Sequence, residues 1–113
     1  MGWIGVDLDG TLAHYESGDG IDAIGEPIEP MVRRVKRWLK EGREVRIVTA
    51  RVAMPHQRGR QEELIEAWCR KVFDRTLPVT HCKDYGMVEL WDDRAVQVRM
   101  NTGEPVEIWR RRS

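Results

Sequence analysis

Two carboxylates, Asp7 and Asp9, stand two residues apart directly after the apolar run Trp3-Ile4-Gly5-Val6, and Gly10 and Thr11 follow them. On an extended segment, residues two apart face the same side, so the pair crowds one small volume at a strand's carboxyl end. Like charges held that close need a cation or a proton between them. Gly10 permits a sharp turn, and Thr11 adds a hydroxyl and an amide. Such a set suits a magnesium ion and a phosphate group better than it suits a packed core. The structural alternative is an acidic turn closing an edge strand, because Asp-Gly is common in turns. The full string Asp7-Leu8-Asp9-Gly10-Thr11 behind a buried-looking strand is far rarer, which favours chemistry.

That string resembles the first motif of the haloacid dehalogenase superfamily of phosphotransferases. The resemblance implies a Ser or Thr ending a second strand, a Lys further on and an acidic pair ending a later strand. All three are present in order: Thr49 closes Val45-Arg46-Ile47-Val48, Lys83 follows Pro78-Val79-Thr80-His81-Cys82, and Asp92-Asp93 close Met87-Val88-Glu89-Leu90-Trp91. The implied activity is Mg²⁺-dependent hydrolysis of a phosphomonoester. In it Asp7 attacks phosphorus and becomes an aspartyl phosphate, and Asp9 protonates the leaving alcohol and then activates water. The resemblance further implies that Thr49, with Gly10 and Thr11 beside it, binds the phosphate and that Lys83 screens it from Asp7. Mg²⁺ is then held by Asp7, the main-chain carbonyl of Asp9 and Asp92, with Asp93 behind them. Arg51 follows Thr49 by two and is a further phosphate candidate, an ion pair with a loop acid being its alternative. Lys83 stands only nine residues before Asp92, which is short for the pattern, so its aim depends on where the preceding strand ends.

Holding these residues together requires strands whose carboxyl ends share one edge. Between Pro30 and Gly42, Met31, Val32, Val35, Trp38 and Leu39 recur at helical spacing, while Arg33, Arg34, Lys36, Arg37 and Lys40 form the opposite, solvated face. Residues 44–49 read as a short buried strand and 51–59 as a polar loop. A second helix places Leu64, Ile65, Trp68, Cys69 and Val72 on one face before a strand begins at Pro78. Further on, 95–100 alternate like another strand, Asn101-Thr102-Gly103 turn, and 106–109 add an edge strand. Alternating strands and helices argue for an α/β fold with a mostly parallel sheet, because parallel strands need long crossovers. We therefore expect a Rossmann-like three-layer α/β/α sandwich in which Asp7, Asp9, Thr49, Lys83 and Asp92 meet at the strands' carboxyl ends.

The chain has 113 residues, near the usual size of one domain, so residues 1–113 read as a single core. Residues 14–30 are rich in Gly, Asp and Pro and read as a loop or a small hairpin overhanging the acidic turn, where the resemblance implies a local flap, and nowhere else is an insertion large enough for a cap domain. Nineteen basic and nineteen acidic residues cancel, so no overall field gathers nucleic acid or an anionic membrane. No stretch approaches the roughly 20 apolar residues of a membrane span, and no secretion signal opens the chain, so a cytoplasmic location is expected. Cys69 and Cys82 lack metal-type pairing and read as small core residues, and the tryptophans read as core. A capless site is open to solvent. Among relatives by resemblance, that layout accompanies macromolecular or nucleic-acid-end phosphates, or a homo-oligomer whose second copy acts as a lid. The basic tail at 110–113 is compatible with nucleic acid. Two other classes compete: a receiver-like signalling domain, and a non-catalytic module that binds phosphate or nucleic acid on the same scaffold. A receiver ends its middle strand in the phospho-accepting Asp, where this chain has Thr49.

Overall fold

The computed structural model describes residues 2–16 and 20–106. Strand β1 (Trp3–Asp7) is buried from Trp3 to Val6. Helix α1 (Glu29–Lys40) begins with Pro30 in its first turn and buries Met31, Val32, Val35 and Trp38. Strand β2 (Glu44–Val48) follows, then one 3₁₀ turn (Ala50–Ala53) within the segment read as a polar loop. Thr49 forms that turn, because its hydroxyl accepts a hydrogen bond from the Arg51 amide at 3.2 Å and caps it. Helix α2 (Arg58–Phe73) buries Gln61, Ile65, Trp68, Cys69 and Phe73. Strands β3 (Val79–Thr80) and β4 (Met87–Trp91) complete the sheet.

The four strands run in the order β3-β2-β1-β4 and every pairing is parallel. The protein is thus a small Rossmann-like α/β domain of four parallel strands and two helices. Register places Val6 beside Ile47 on one side and Trp91 on the other, and Asp7 beside Val48. Ile4, Val6, Val45 and Ile47 therefore present one continuous apolar face, which packs with Val32, Val35, Ile65 and Cys69 in the core. Burying each such side chain contributes about 1.5–3 kcal/mol.

Two successive crossovers step in the same direction, β1 to β2 to β3, which puts both helices on one face. They share a groove of about 300 Å³ lined by Val32 and Lys36 of α1 and Trp68 and Lys71 of α2. Among the described residues, side chains and the 81–86 connection, not a helix, pack on the sheet's other face. There the Arg46 guanidinium lies 4.3 Å from the Trp3 ring centroid. The Trp3 indole also donates to Asp84 Oδ1 at 2.8 Å, which holds the Asp84 carboxyl below its usual range. The expected third layer is reduced accordingly. Connecting β3 to β4 takes too few residues for a crossover helix, so among the described residues only two helices form.

Two further expectations, the strand at 95–100 and the burial of Cys82, change in detail. Residues 95–100 do not extend the sheet; Val98 bridges Pro105 in a small hairpin that turns at Asn101 and Gly103, both at positive φ. At the base of the segment read as a loop or small hairpin, Ala13 bridges Pro27 in antiparallel fashion and the Ile28 amide donates to the Leu12 carbonyl at 2.8 Å, which agrees with the hairpin alternative. Cys69 is buried, and burial pushes its thiol up to about 11, but Cys82 is exposed. The expected edge strand 106–109 and the basic tail lie beyond Val106 for the most part, outside the described residues. No helix among the described residues is long and apolar enough to cross a membrane.

Candidate active site

The carboxyl ends of β1 and β4 bring three acids together. Asp7, Asp92 and Asp93 each offer a carboxylate oxygen, and these oxygens lie within 4.8 Å of one another. Local chemistry fixes their seating. The Thr11 hydroxyl accepts from the Asp93 amide at 3.1 Å and reaches Asp93 Oδ1 at 3.2 Å, and Asp92 Oδ1 accepts from the Arg94 amide at 2.7 Å. Gly10 has φ +90°, and a Cβ there would fall 2.7 Å from Asp93 Oδ2, so only glycine lets this acid approach the turn. Gly10 and Thr11, expected beside the phosphate, thus shape the acid cluster.

Crowding shows in the protonation of Asp7. Burial pushes its carboxyl up to about 7 from an ordinary 3.8, and a side-chain hydrogen bond with Asp93 and the charges of Asp92 and Asp93 push the same way. A divalent cation among the three would reverse that balance. All three donors are hard carboxylate oxygens with no thiolate or imidazole, the set that suits Mg²⁺, Mn²⁺ or Ca²⁺.

Asp9 belongs to a different arrangement. Its carboxylate is gripped through both oxygens by Arg51, with Nε to Oδ2 at 2.8 Å and Nη2 to Oδ1 at 3.0 Å. The remaining donors of Arg51 are also taken. Nη2 donates to the Ala23 carbonyl at 2.9 Å, and Nη1 to the Ile21 carbonyl at 3.2 Å and to Gln61 Oε1 at 3.0 Å. All five guanidinium N–H groups are therefore engaged, on a side chain only 6% exposed. Arg51 keeps no donor for a phosphate. It takes the ion-pair alternative, and it pins the loop after Gly20 through that loop's own carbonyls. Gln61, fully buried, doubles the attachment by donating from Nε2 to the Ile21 carbonyl at 2.9 Å. Gln61 was not singled out from sequence, although an amide in the apolar stripe four residues before Ile65 is its signal.

Above these acids opens a groove of about 600 Å³ whose lining includes Asp7, Asp9, Thr49, Asp92 and Asp93. Val48, Ile21, Ala53, Met54 and Tyr15 give it an apolar wall. His81 and Arg94 also line it, and neither was singled out as a site residue from sequence. Lys83 does not line it. Pairing in β3 stops at Thr80, where the Thr80 hydroxyl accepts from the Cys82 amide at 3.0 Å and turns the chain outward. Lys83 then falls on the exposed stretch beyond, three residues past the strand's end.

Comparisons with protein-family models, with curated proteins and with solved structures found no match. The functional reading therefore stands on these residues and their geometry.

Proposed function

We propose that this chain is a Mg²⁺-dependent phosphomonoester hydrolase of the haloacid dehalogenase type, working through an aspartyl phosphate on Asp7. One observation carries the reading: two carboxylates of a single turn are held in opposite environments. Asp7 is drawn into a cluster of acids with the composition of a cation site, and Asp9 is drawn away from it by a guanidinium. Acids whose surroundings differ in this way take different roles, and a cation at the cluster is what would make Asp7 the ionised, attacking member.

The Asp7, Asp92 and Asp93 side chains would hold the metal, with the main-chain carbonyl of Asp9 as a further ligand by resemblance. Bound there, the ion would neutralise charge on the phosphate oxygens and keep Asp7 ionised. An Asp7 oxygen attacks phosphorus, and the ester oxygen leaves with a proton carried by Asp9, which holds that proton only on an oxygen that Arg51 has released. Asp9 then takes a proton from the water that hydrolyses the acyl phosphate, which returns both carboxylates to their starting forms. Arg51 fixes Asp9 at the groove wall, and Thr49, almost fully buried, offers its hydroxyl beside the same groove.

Turnover of p-nitrophenyl phosphate tests the proposal. We expect Mg²⁺-dependent release of nitrophenol that is abolished by chelation, and losses of at least about a hundredfold in Asp7→Asn and in Asp9→Asn, the usual scale for removing a nucleophile or general acid. Equal, negligible rates in wild type and Asp7→Asn would favour a binding module on this scaffold.

A further inference from the structure

The proposed site must receive a phosphate dianion among four carboxylates, Asp7, Asp9, Asp92 and Asp93, all of which line one groove. Arg51 offsets Asp9, and a divalent cation would offset two of the remaining three. Net negative charge persists where the dianion must dock, so a further cation is needed on the groove wall. The family resemblance gives this task to Lys83, yet Lys83 lies on an exposed stretch and is not part of the groove.

We infer that Arg94 is the residue that grips the substrate phosphate in this protein. Arg94 lines the groove and directly follows the acid pair. Its amide is pinned by Asp92 Oδ1 at 2.7 Å, so its backbone is fixed relative to the acid cluster. Its guanidinium is uncommitted: among the described residues it makes no ion pair, side-chain hydrogen bond or aromatic stack. Other arginines near the sheet are spent. Arg51 has given all five donors, Arg46 lies over Trp3 and pairs with Glu44, and Arg34 lies over Trp91. An arginine that borders four acids and pairs with none of them keeps its planar fork free for two phosphate oxygens, a geometry that a lysine ammonium does not offer. Among the described residues, the other cation-capable side chains lining this groove are Arg51, already fully engaged, and His81, whose Nδ1 lies 3.5 Å from Cys82 Sγ.

This inference rests on the hydrolase reading, and the test separates the two. With p-nitrophenyl phosphate and saturating Mg²⁺, Arg94→Ala is expected to lower kcat/KM at least about tenfold, mainly through KM, and to raise the inhibition constant of inorganic phosphate in the same proportion. Arg94→Lys should recover part of the loss, and the loss in Arg94→Ala should exceed that in Lys83→Ala by about tenfold. Because Arg94 is exposed, thermal melting should be unchanged. Calorimetric titration with inorganic phosphate in Mg²⁺ reads the same contact where turnover is slow. An active wild type whose Arg94→Ala variant keeps its KM and phosphate inhibition, with the loss falling on Lys83→Ala instead, overturns the inference and leaves the hydrolase reading standing. A wild type that neither turns over the ester nor binds phosphate overturns both.

Discussion

Replacing Arg51 probes the joint between the acid turn, the loop after Gly20 and α2. In Arg51→Ala the Asp9 carboxylate, whose side chain is 24% exposed, loses both of its close donors. Gln61 Oε1, on a residue with no exposed surface, is left without this partner, and the Ala23 carbonyl loses its donor as well. Removing one partner of a buried ion pair costs about 3–5 kcal/mol, and an orphaned buried amide oxygen about 1–3 kcal/mol, the two overlapping in one network. We expect a loss of about 4 kcal/mol, a large part of the 5–15 kcal/mol typical of a whole domain. Arg51→Lys keeps the charge but has a single nitrogen that cannot span acceptors on three elements, so it should lose about 2 kcal/mol. Gln61→Leu should cost about 1 kcal/mol, because Arg51 Nη1 still reaches the Ile21 carbonyl. Urea unfolding read by tryptophan fluorescence orders the three variants. Trp68 reports on the loop directly, since its indole donates to the Gly25 carbonyl at 2.9 Å. Hydrogen exchange of amides 20–24 should accelerate in Arg51→Lys while the β1 amides stay protected. A cost below about 1 kcal/mol for Arg51→Ala at unchanged m-value, with loop exchange unaltered, would refute the idea that this arginine ties the loop to the acid turn.

Gly10→Ala and Gly42→Ala form a matched pair, since both residues have positive φ but only at Gly10 would a Cβ meet an acid. Each should lose about 1 kcal/mol of stability, and only Gly10→Ala should also weaken Mg²⁺ binding in calorimetry. In protein stripped of divalent ions, folded Asp7 keeps its proton up to about pH 7, whereas the unfolded chain releases it near 3.8. The folded state therefore binds more protons between those values, and this group's contribution to stability falls as pH rises from about 4 to about 7. Added Mg²⁺ should raise the melting temperature strongly at pH 7.5 and little at pH 5, where the ion must displace a proton. Thr49→Val removes the acceptor for the Arg51 amide and should cost about 1 kcal/mol in urea unfolding.

The order of elements and the meeting of Asp7 with Asp92 were legible because both depend on period and position along the chain, whereas Asp93, expected behind the ligands, stands in the cluster and the Asp9 side chain stands outside it. Apolar spacing at Met31, Val32, Val35 and Trp38 located α1, and alternation of strands and helices placed the ends of β1, β2 and β4 on one edge. Lys83 shows where that logic stops. The segment Val79-Thr80-His81-Cys82 after Pro78 reads as a strand of several residues, but hydrogen bonding to β2 supports only Val79 and Thr80, and each residue of overhang moves a side chain some 3.3 Å from the edge. Arg51 shows a second limit, because its spacing from Thr49 fixes its place but not its partners. Whether a guanidinium serves a ligand or the protein depends on how many acceptors the folded chain returns to it, here from Asp9, Ile21, Ala23 and Gln61, residues ten to forty-two positions away. That distribution of donors is a tertiary property: the charge that looks free in sequence is consumed in holding Asp9, and the guanidinium left unpaired beside the groove, among the described residues, is that of Arg94, in a turn that periodicity left undescribed.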